Sequence, residues 1–172
     1  VKVAECMMSM QKGAHELDIV ISLGKFLDGD YETVFNEIER MNKSIDDCYL
    51  KVILETGVIK DLSKIRLASF LAMEAGAKII KTSTGKLEPA ATPEAFLVMA
   101  KAVKDYHTET RRVVGLKPAG GIITTEEALM YYTIVKHTLG NAWLSPEFFR
   151  IGASRLANNL LSDITGSEVK YF

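Results

Sequence analysis

Five short apolar runs, alternating with stretches that carry helix-cap residues, constrain this chain more than any other feature. The runs are Leu17 to Ser22, Tyr49 to Glu55, Lys78 to Ser83, Arg112 to Lys117 and Phe149 to Ala153. Near-continuous β-branched runs suit parallel strands covered on both faces, whereas a sheet with one wet face would alternate polar and apolar. Between the runs, Asp30 is placed to cap a helix with Val34, Ile38 and Met41 on its inner face. Asp61 is placed to cap another, carrying Ile65, Ala68 and Ala72 and ending before Gly76. Thr92-Pro93-Glu94 reads as N-cap, first-position proline and first-turn acid, followed by an apolar face at Ala95, Met99, Ala102, Val103 and Tyr106. Thr124 with Glu127 fits a capping box, and Gly140 suits the matching helix end. Strand and helix in alternation imply an α/β fold with a parallel sheet and right-handed crossovers.

The sheet is either open or closed into a barrel. Gly120-Gly121 is not part of a GxGxxG, and no GxxxxGK[ST] occurs, so nucleotide-binding folds leave no fingerprint. Functional-looking residues come from the ends of several different strands, which is the habit of the (β/α)8 TIM barrel. Such a barrel has eight strands and about 250 residues. This chain of 172 residues opens on a helix at Val1 to Gln11, without an initiating methionine, and offers about five βα units. The expectation is a single domain over residues 1–172 that forms the C-terminal portion of a barrel, with three strands outside it.

Lys81 and Lys117 end the third and fourth runs, and each leads into a loop of small residues. A lysine buried at the end of an apolar strand is costly unless its charge is used or removed. A second ammonium nearby favours loss of a proton from the first, and a neutral amine attacks carbonyls. The pair therefore suggests Schiff-base chemistry, although a lone strand-end lysine is more often simply solvated. Asp18, inside the run Leu17-Asp18-Ile19-Val20-Ile21, needs a partner and is the candidate acid for moving protons; a structural ion pair would read the same. Glu55 is a weaker candidate that completes a polar cluster.

Three small-residue loops can offer backbone N–H groups to an anion: Thr82 to Gly85, Gly120-Gly121 ahead of Thr124, and Gly152-Ala153-Ser154 opening the last helix. Taken singly, these glycines serve tight turns equally well, but two such loops after adjacent strands point to phosphate. Lys86 is either a further positive charge in that pocket or a solvated loop lysine.

Composition removes other classes. The 21 basic and 22 acidic residues give a net charge of −1, scattered and not interleaved with aromatics, which speaks against nucleic acid and membrane surfaces. No apolar run approaches the ~18 residues of a membrane span. Cys6 and Cys48 form no CxxC pair and read as reduced thiols of a cytoplasmic protein. His15, His107 and His137 read as surface residues without metal-ligand spacing, so neither metal nor cofactor is expected. A homo-oligomer stays open.

KTSTGK (Lys81 to Lys86), KPAGGI (Lys117 to Ile122), ELDIVI (Glu16 to Ile21), LKVILETG (Leu50 to Gly57) and FRIGAS (Phe149 to Ser154) together resemble the deoxyribose-phosphate aldolase family, in order along the whole chain. The resemblance implies a metal-independent class I aldolase that reversibly cleaves 2-deoxy-D-ribose 5-phosphate to acetaldehyde and D-glyceraldehyde 3-phosphate. It implies that Lys81 forms the Schiff base, that Lys117 is the cation lowering its pKa, and that Asp18 relays protons through water. It assigns the sugar phosphate to Thr84, Lys86, Gly120, Gly121, Gly152 and Ser154. Two positions depart from the pattern. Many members carry an arginine soon after the double glycine, where this chain has Ile122-Ile123-Thr124, and some carry a second serine where this chain has Arg155. The family's first three strands have no counterpart here, which leaves a second reading: a catalytically inactive truncated barrel acting as a phosphate-ligand binder or interaction subunit. Retention of Asp18, Lys81 and Lys117 together argues for the enzyme, and the tandem motif disfavours a transaldolase.

Overall fold

In the computed structural model, which describes residues 1–45 and 48–171, the apolar runs form one parallel sheet in sequence order. Its strands are β1 (Glu16–Val20), β2 (Tyr49–Ile53), β3 (Ile79–Lys81) and β4 (Gly115–Lys117). Helices precede, connect and follow them: α1 (Lys2–Gln11), α2 (Leu23–Leu27), α3 (Tyr31–Lys43), α4 (Thr56–Ile59), α5 (Leu62–Glu74), α6 (Pro93–Thr110), α7 (Thr125–Leu139) and α8 (Leu156–Thr165). The short helices α2 and α4, directly after β1 and β2, have no counterpart in the sequence reading.

The cap residues act as their chemistry predicts. Asp30 accepts from Thr33 N, Asp61 from Ser63 N and Lys64 N, and Thr92 from Ala95 N. Thr124 and Glu127 close a reciprocal capping box at the start of α7. Val34, Ile38 and Met41 of α3, Ile65, Ala68 and Ala72 of α5, and the expected face of α6 are all buried.

Register sorts the strand residues onto two faces. Leu17, Ile19, Leu50, Val52, Ile80 and Leu116 join the helices in the hydrophobic core. The opposite face carries two rungs: Asp18, Lys51, Ile79 and Gly115, then Val20, Ile53, Lys81 and Lys117. Charge is therefore collected on the face that the helices do not cover.

The fifth predicted strand is corrected. Phe149 to Ala153 runs parallel to β4 but meets it only at two isolated bridges, Leu116 with Phe149 and Ala119 with Gly152. Hydrogen bonds flank the gap: Arg150 N donates to Leu116 O, and Gly152 N to Pro118 O. The missing rung falls at Pro118, which has no N–H to donate, so the ladder breaks there.

The sheet is strongly curved. Arg150 reaches from this fifth segment to Glu16 on β1, with Nη2 2.8 Å from Oε1. In a flat sheet four strand spacings would separate those segments by about 19 Å, farther than the two side chains span together. The pair thus crosses the concave face like a chord. Among the described residues no strand pairs with the outer edge of β1; there Lys2 Nζ donates to Val20 O at 3.0 Å.

Candidate active site

Strand alternation turns Asp18 to the concave face, and its two carboxylate oxygens take different partners. Oδ1 lies 2.8 Å from Lys51 Nζ and Oδ2 lies 2.8 Å from Lys81 Nζ, while Lys117 Nζ is 3.9 Å from that second oxygen. Lys81 and Lys117 are direct register partners on β3 and β4. Their side chains are only 12% and 20% exposed. The structure thus brings Asp18, Lys81 and Lys117 into one ion-paired cluster.

Two further groups extend the cluster. Lys51, 6% exposed, bridges Asp18 to Glu16, whose Oε2 is 2.9 Å from its amine. Arg150 grips Glu16 in turn. Sequence reasoning passed over Lys51, Glu16 and Arg150. The signal for Lys51 was present, since a charge inside the apolar run Tyr49 to Glu55 raises the same question as Asp18 in its own run.

The electrostatics follow from these contacts. Burial opposes ionisation of Asp18, yet hydrogen bonds from Lys51 and Lys81 outweigh it and hold the carboxyl below its usual range. Burial pushes the Lys117 ammonium toward losing its proton; Asp18 opposes this, while Lys81, Lys51 and Arg150 add to it. Glu16 is drawn down to about 2, first by Arg150 and then by Lys51.

The loops above the strands are tied to one another. Thr82, fully buried, accepts from Ala119 N at 3.0 Å and joins the loop after β3 to the loop after β4. Glu55, 2% exposed, adopts a left-handed conformation with φ 56° and ψ 57° that a non-glycine residue enters only at a cost. Its carboxylate accepts from Thr84 N at 3.1 Å and from Thr84 Oγ1 at 2.6 Å. Thr84 therefore lines the cavity with its hydroxyl proton turned to Glu55, and Glu55 acts as a buckle for the Lys81 to Lys86 loop.

A cavity of about 590 Å³ opens over the two lysines, lined by Lys81, Lys117, Lys86, Arg155, Gly121 and Ser154 among others, with no acid among its lining residues. Gly120 and Gly152 line it too, but their N–H groups are committed, Gly120 N to Gly152 O and Gly152 N to Pro118 O. What they contribute is room. A Cβ on Gly120 would meet Ala90 Cβ at 2.6 Å, and one on Gly152 would meet Ala119 Cβ at 2.7 Å and Lys117 Cε at 3.3 Å. Gly152-Ala153-Ser154 does not itself open the last helix, because α8 begins at Leu156 with Arg155 at the cap position.

His15 and His137 are exposed, as expected, whereas His107 is half-buried, edge-on to Trp143 with ring centroids 5.0 Å apart. Among the described residues no group of three or more His, Cys, Asp or Glu is placed to hold a metal ion. No helix among them is long and apolar enough to cross a membrane.

Comparison with known proteins places this geometry in context. The family model described as DeoC/LacD family aldolase matches residues 1–142. A deoxyribose-phosphate aldolase of Mus musculus is 42% identical over 163 residues, covering 95% of this chain and 50% of that protein. One of Agrobacterium fabrum is 41% identical over 167 residues, covering 96% of this chain and 63% of that protein. Among solved structures, the deoxyribose phosphate aldolase from Aeropyrum pernix, described as a unique tetrameric structure, superposes with a TM-score of 0.70 at 25% identity, covering 96% of this chain and 62% of that one. The chain spans about half the length of the mammalian relatives it matches.

Proposed function

Because this chain belongs to the DeoC/LacD family of aldolases, we propose that it carries the catalytic lysines of a Schiff-base aldolase that reversibly cleaves 2-deoxy-D-ribose 5-phosphate to acetaldehyde and D-glyceraldehyde 3-phosphate. The placement of Lys81 carries this reading. Its amine is held 2.8 Å from a carboxylate, beside a second lysine, beneath a cavity whose lining is cationic.

The chemistry follows from those groups. Lys81, as the free amine, adds to the C1 carbonyl of the open-chain sugar, and loss of water leaves a protonated imine. That cation is the electron sink. The C3 hydroxyl gives up its proton, through water, to Asp18; the C2–C3 bond breaks, and its electrons form the enamine on C1 and C2. Glyceraldehyde 3-phosphate leaves, a proton returns to C2, and water hydrolyses the imine to release acetaldehyde. Lys117, on the neighbouring strand, faces the same Asp18 oxygen as Lys81. The far end of the cavity takes the phosphate, with Gly121, Ser154 and Lys86 as the facing groups and Thr84, Gly120 and Gly152 shaping the space.

The sheet's curvature supports an arc of a (β/α)8 barrel that the chain occupies as one domain, with the remaining strands pairing along the outer edge of β1. The free thiols of Cys6 and Cys48 fit a cytoplasmic enzyme. Release of glyceraldehyde 3-phosphate from 2-deoxyribose 5-phosphate, followed with a coupled dehydrogenase, tests the reaction. Absence of release from protein that is folded and full length would overturn it.

A further inference from the structure

Glu55 carries two costs that the reaction leaves unexplained. Among the described residues three that are not glycine sit at positive φ: Glu55, Lys60 and Arg111. Lys60 and Arg111 are exposed and close the C-terminal ends of α4 and α6, where chains commonly enter that region. Glu55 is buried and stands at the start of α4, in the turn that leaves β2. Its carboxylate is the second cost, because among the described residues no lysine or arginine forms an ion pair with it. Strain of this kind persists only where the surroundings over-determine it, and it clusters at functional sites.

What those surroundings hold is one loop. Thr84 N donates to Glu55 Oε1 at 3.1 Å and Oε2 at 3.3 Å, and Thr84 Oγ1 donates to Oε2 at 2.6 Å. The next two residues meet the same loop. Thr56 N donates to Thr82 O at 2.9 Å, and a Cβ on Gly57 would stand 1.7 Å from Pro89 O. Gly85 to Pro89 are exposed, so the corner Glu55-Thr56-Gly57 is the loop's support on its buried side. The Thr84 hydroxyl proton goes to Glu55, and Lys86 N donates to the same hydroxyl oxygen at 3.2 Å. One lone pair of that oxygen is left, on a residue that lines the cavity with Lys81.

We propose that Glu55 is a positioning residue that acts through Thr84, fixing the shape of the loop after Lys81 and turning the Thr84 hydroxyl into a pure acceptor toward the cavity. The inference rests on the aldolase reading for the reaction it serves. A free hydroxyl donates or accepts as its partner requires, whereas this one has given its proton away and meets only donors. A carboxylate suits the task because it accepts from the amide and the hydroxyl of one residue at once, and bonds to a charged acceptor are stronger than neutral ones. The left-handed backbone at Glu55 is the conformation that aims the carboxylate at Thr84 while Thr56 N stays on Thr82 O. Glycine would relieve that strain and lose the aim.

The test is a double-mutant cycle in the full-length protein, with Glu55→Gly, Thr84→Val and the two combined, and with Glu55→Gln beside them. The kcat/KM for 2-deoxyribose 5-phosphate should fall roughly 10–100-fold in Glu55→Gly, the worth of one charged hydrogen-bonded contact. Glu55→Gln, which keeps an acceptor, should recover part of it. The combined variant should lose far less than the product of the two single losses, because both act at one hydroxyl. The Thr84 amide should exchange with solvent faster in Glu55→Gly than in wild type. Should Glu55→Gly not fold, Glu55→Gln takes its place in the cycle. Losses that multiply in the combined variant would overturn the proposal, as would an unchanged kcat/KM with the Thr84 amide equally protected. A wild-type protein that cleaves no sugar, yet loses Thr84 protection in Glu55→Gly, would sink the aldolase reading and leave the held loop standing.

Discussion

Lys81 and Lys117 stand opposite each other at the ends of β3 and β4, and both amines approach the same oxygen of Asp18, at 2.8 and 3.9 Å. With Lys51 on the other oxygen, three amines surround one carboxylate. Burial pushes Lys117 toward the neutral amine; Asp18 opposes this, and the other cations add to it.

Covalent trapping separates the two lysines. Acetaldehyde with borohydride should fix a single ethyl group on Lys81, located by peptide mapping, and Lys117→Leu should suppress it. Recovery of the ethyl group on Lys117 would exchange their roles.

Asp18→Asn should slow sugar cleavage by roughly 10²–10⁴-fold, the scale of a lost acid–base group. Circular dichroism should show the fold retained. Turnover at the wild-type rate would remove Asp18 from the proton path.

Lys51→Met makes a pH-dependent prediction. The Lys51 hydrogen bond helps hold the Asp18 carboxyl below its usual range, so its loss lets that pKa rise. If ionised Asp18 is needed, the acid limb of the kcat/KM profile should move to higher pH. A limb that stays in place would disconnect Lys51 from Asp18's protonation.

Glu55→Ala should leave the half-buried Thr84 N–H and hydroxyl without their acceptor, at a cost of about 1–3 kcal/mol in a urea titration. Glu55→Gln, which keeps an acceptor and the shape, should lose less. Equal losses would mean that the carboxylate charge, and not the buckle, matters at this position.

The Glu16 pair sets an acid limit on stability. Its folded-state pKa of about 2 lies below the ordinary 4.5, so the pair stabilises the fold fully above about 4.5. That contribution fades as pH falls through about 2. Thermal melts of Glu16→Gln should show a flatter decline over this window than wild type; parallel curves would count against the pair.

Features that depend on neighbours in sequence were the legible ones. Asp30, Asp61, Thr92 and Thr124 cap their helices because a cap needs only the next three residues. Asp18 was legible because a carboxylate in an apolar run demands a partner, and register then placed Lys81 and Lys117 beside it. Arg150 was not, because its partner Glu16 lies 134 residues away and only the curvature of the sheet brings them together. The fifth strand was overread because its own residues look like a strand, while the broken rung belongs to Pro118 on the neighbouring segment. Glu55 could be placed at a strand end, but nothing local announces a left-handed backbone at a glutamate.

The chord from Arg150 to Glu16 ties mechanics to reactivity. The convergence of Lys81, Lys117 and Asp18 depends on the bend of the sheet, and this pair resists unbending directly, across the hollow, instead of through the helices outside. Loosening it would lower the stiffness of the arc and let the amines drift from the carboxylate while every strand hydrogen bond stayed intact. On the proposed reaction, damage at this pair would then be read in the rate of imine formation as well as in the melting temperature.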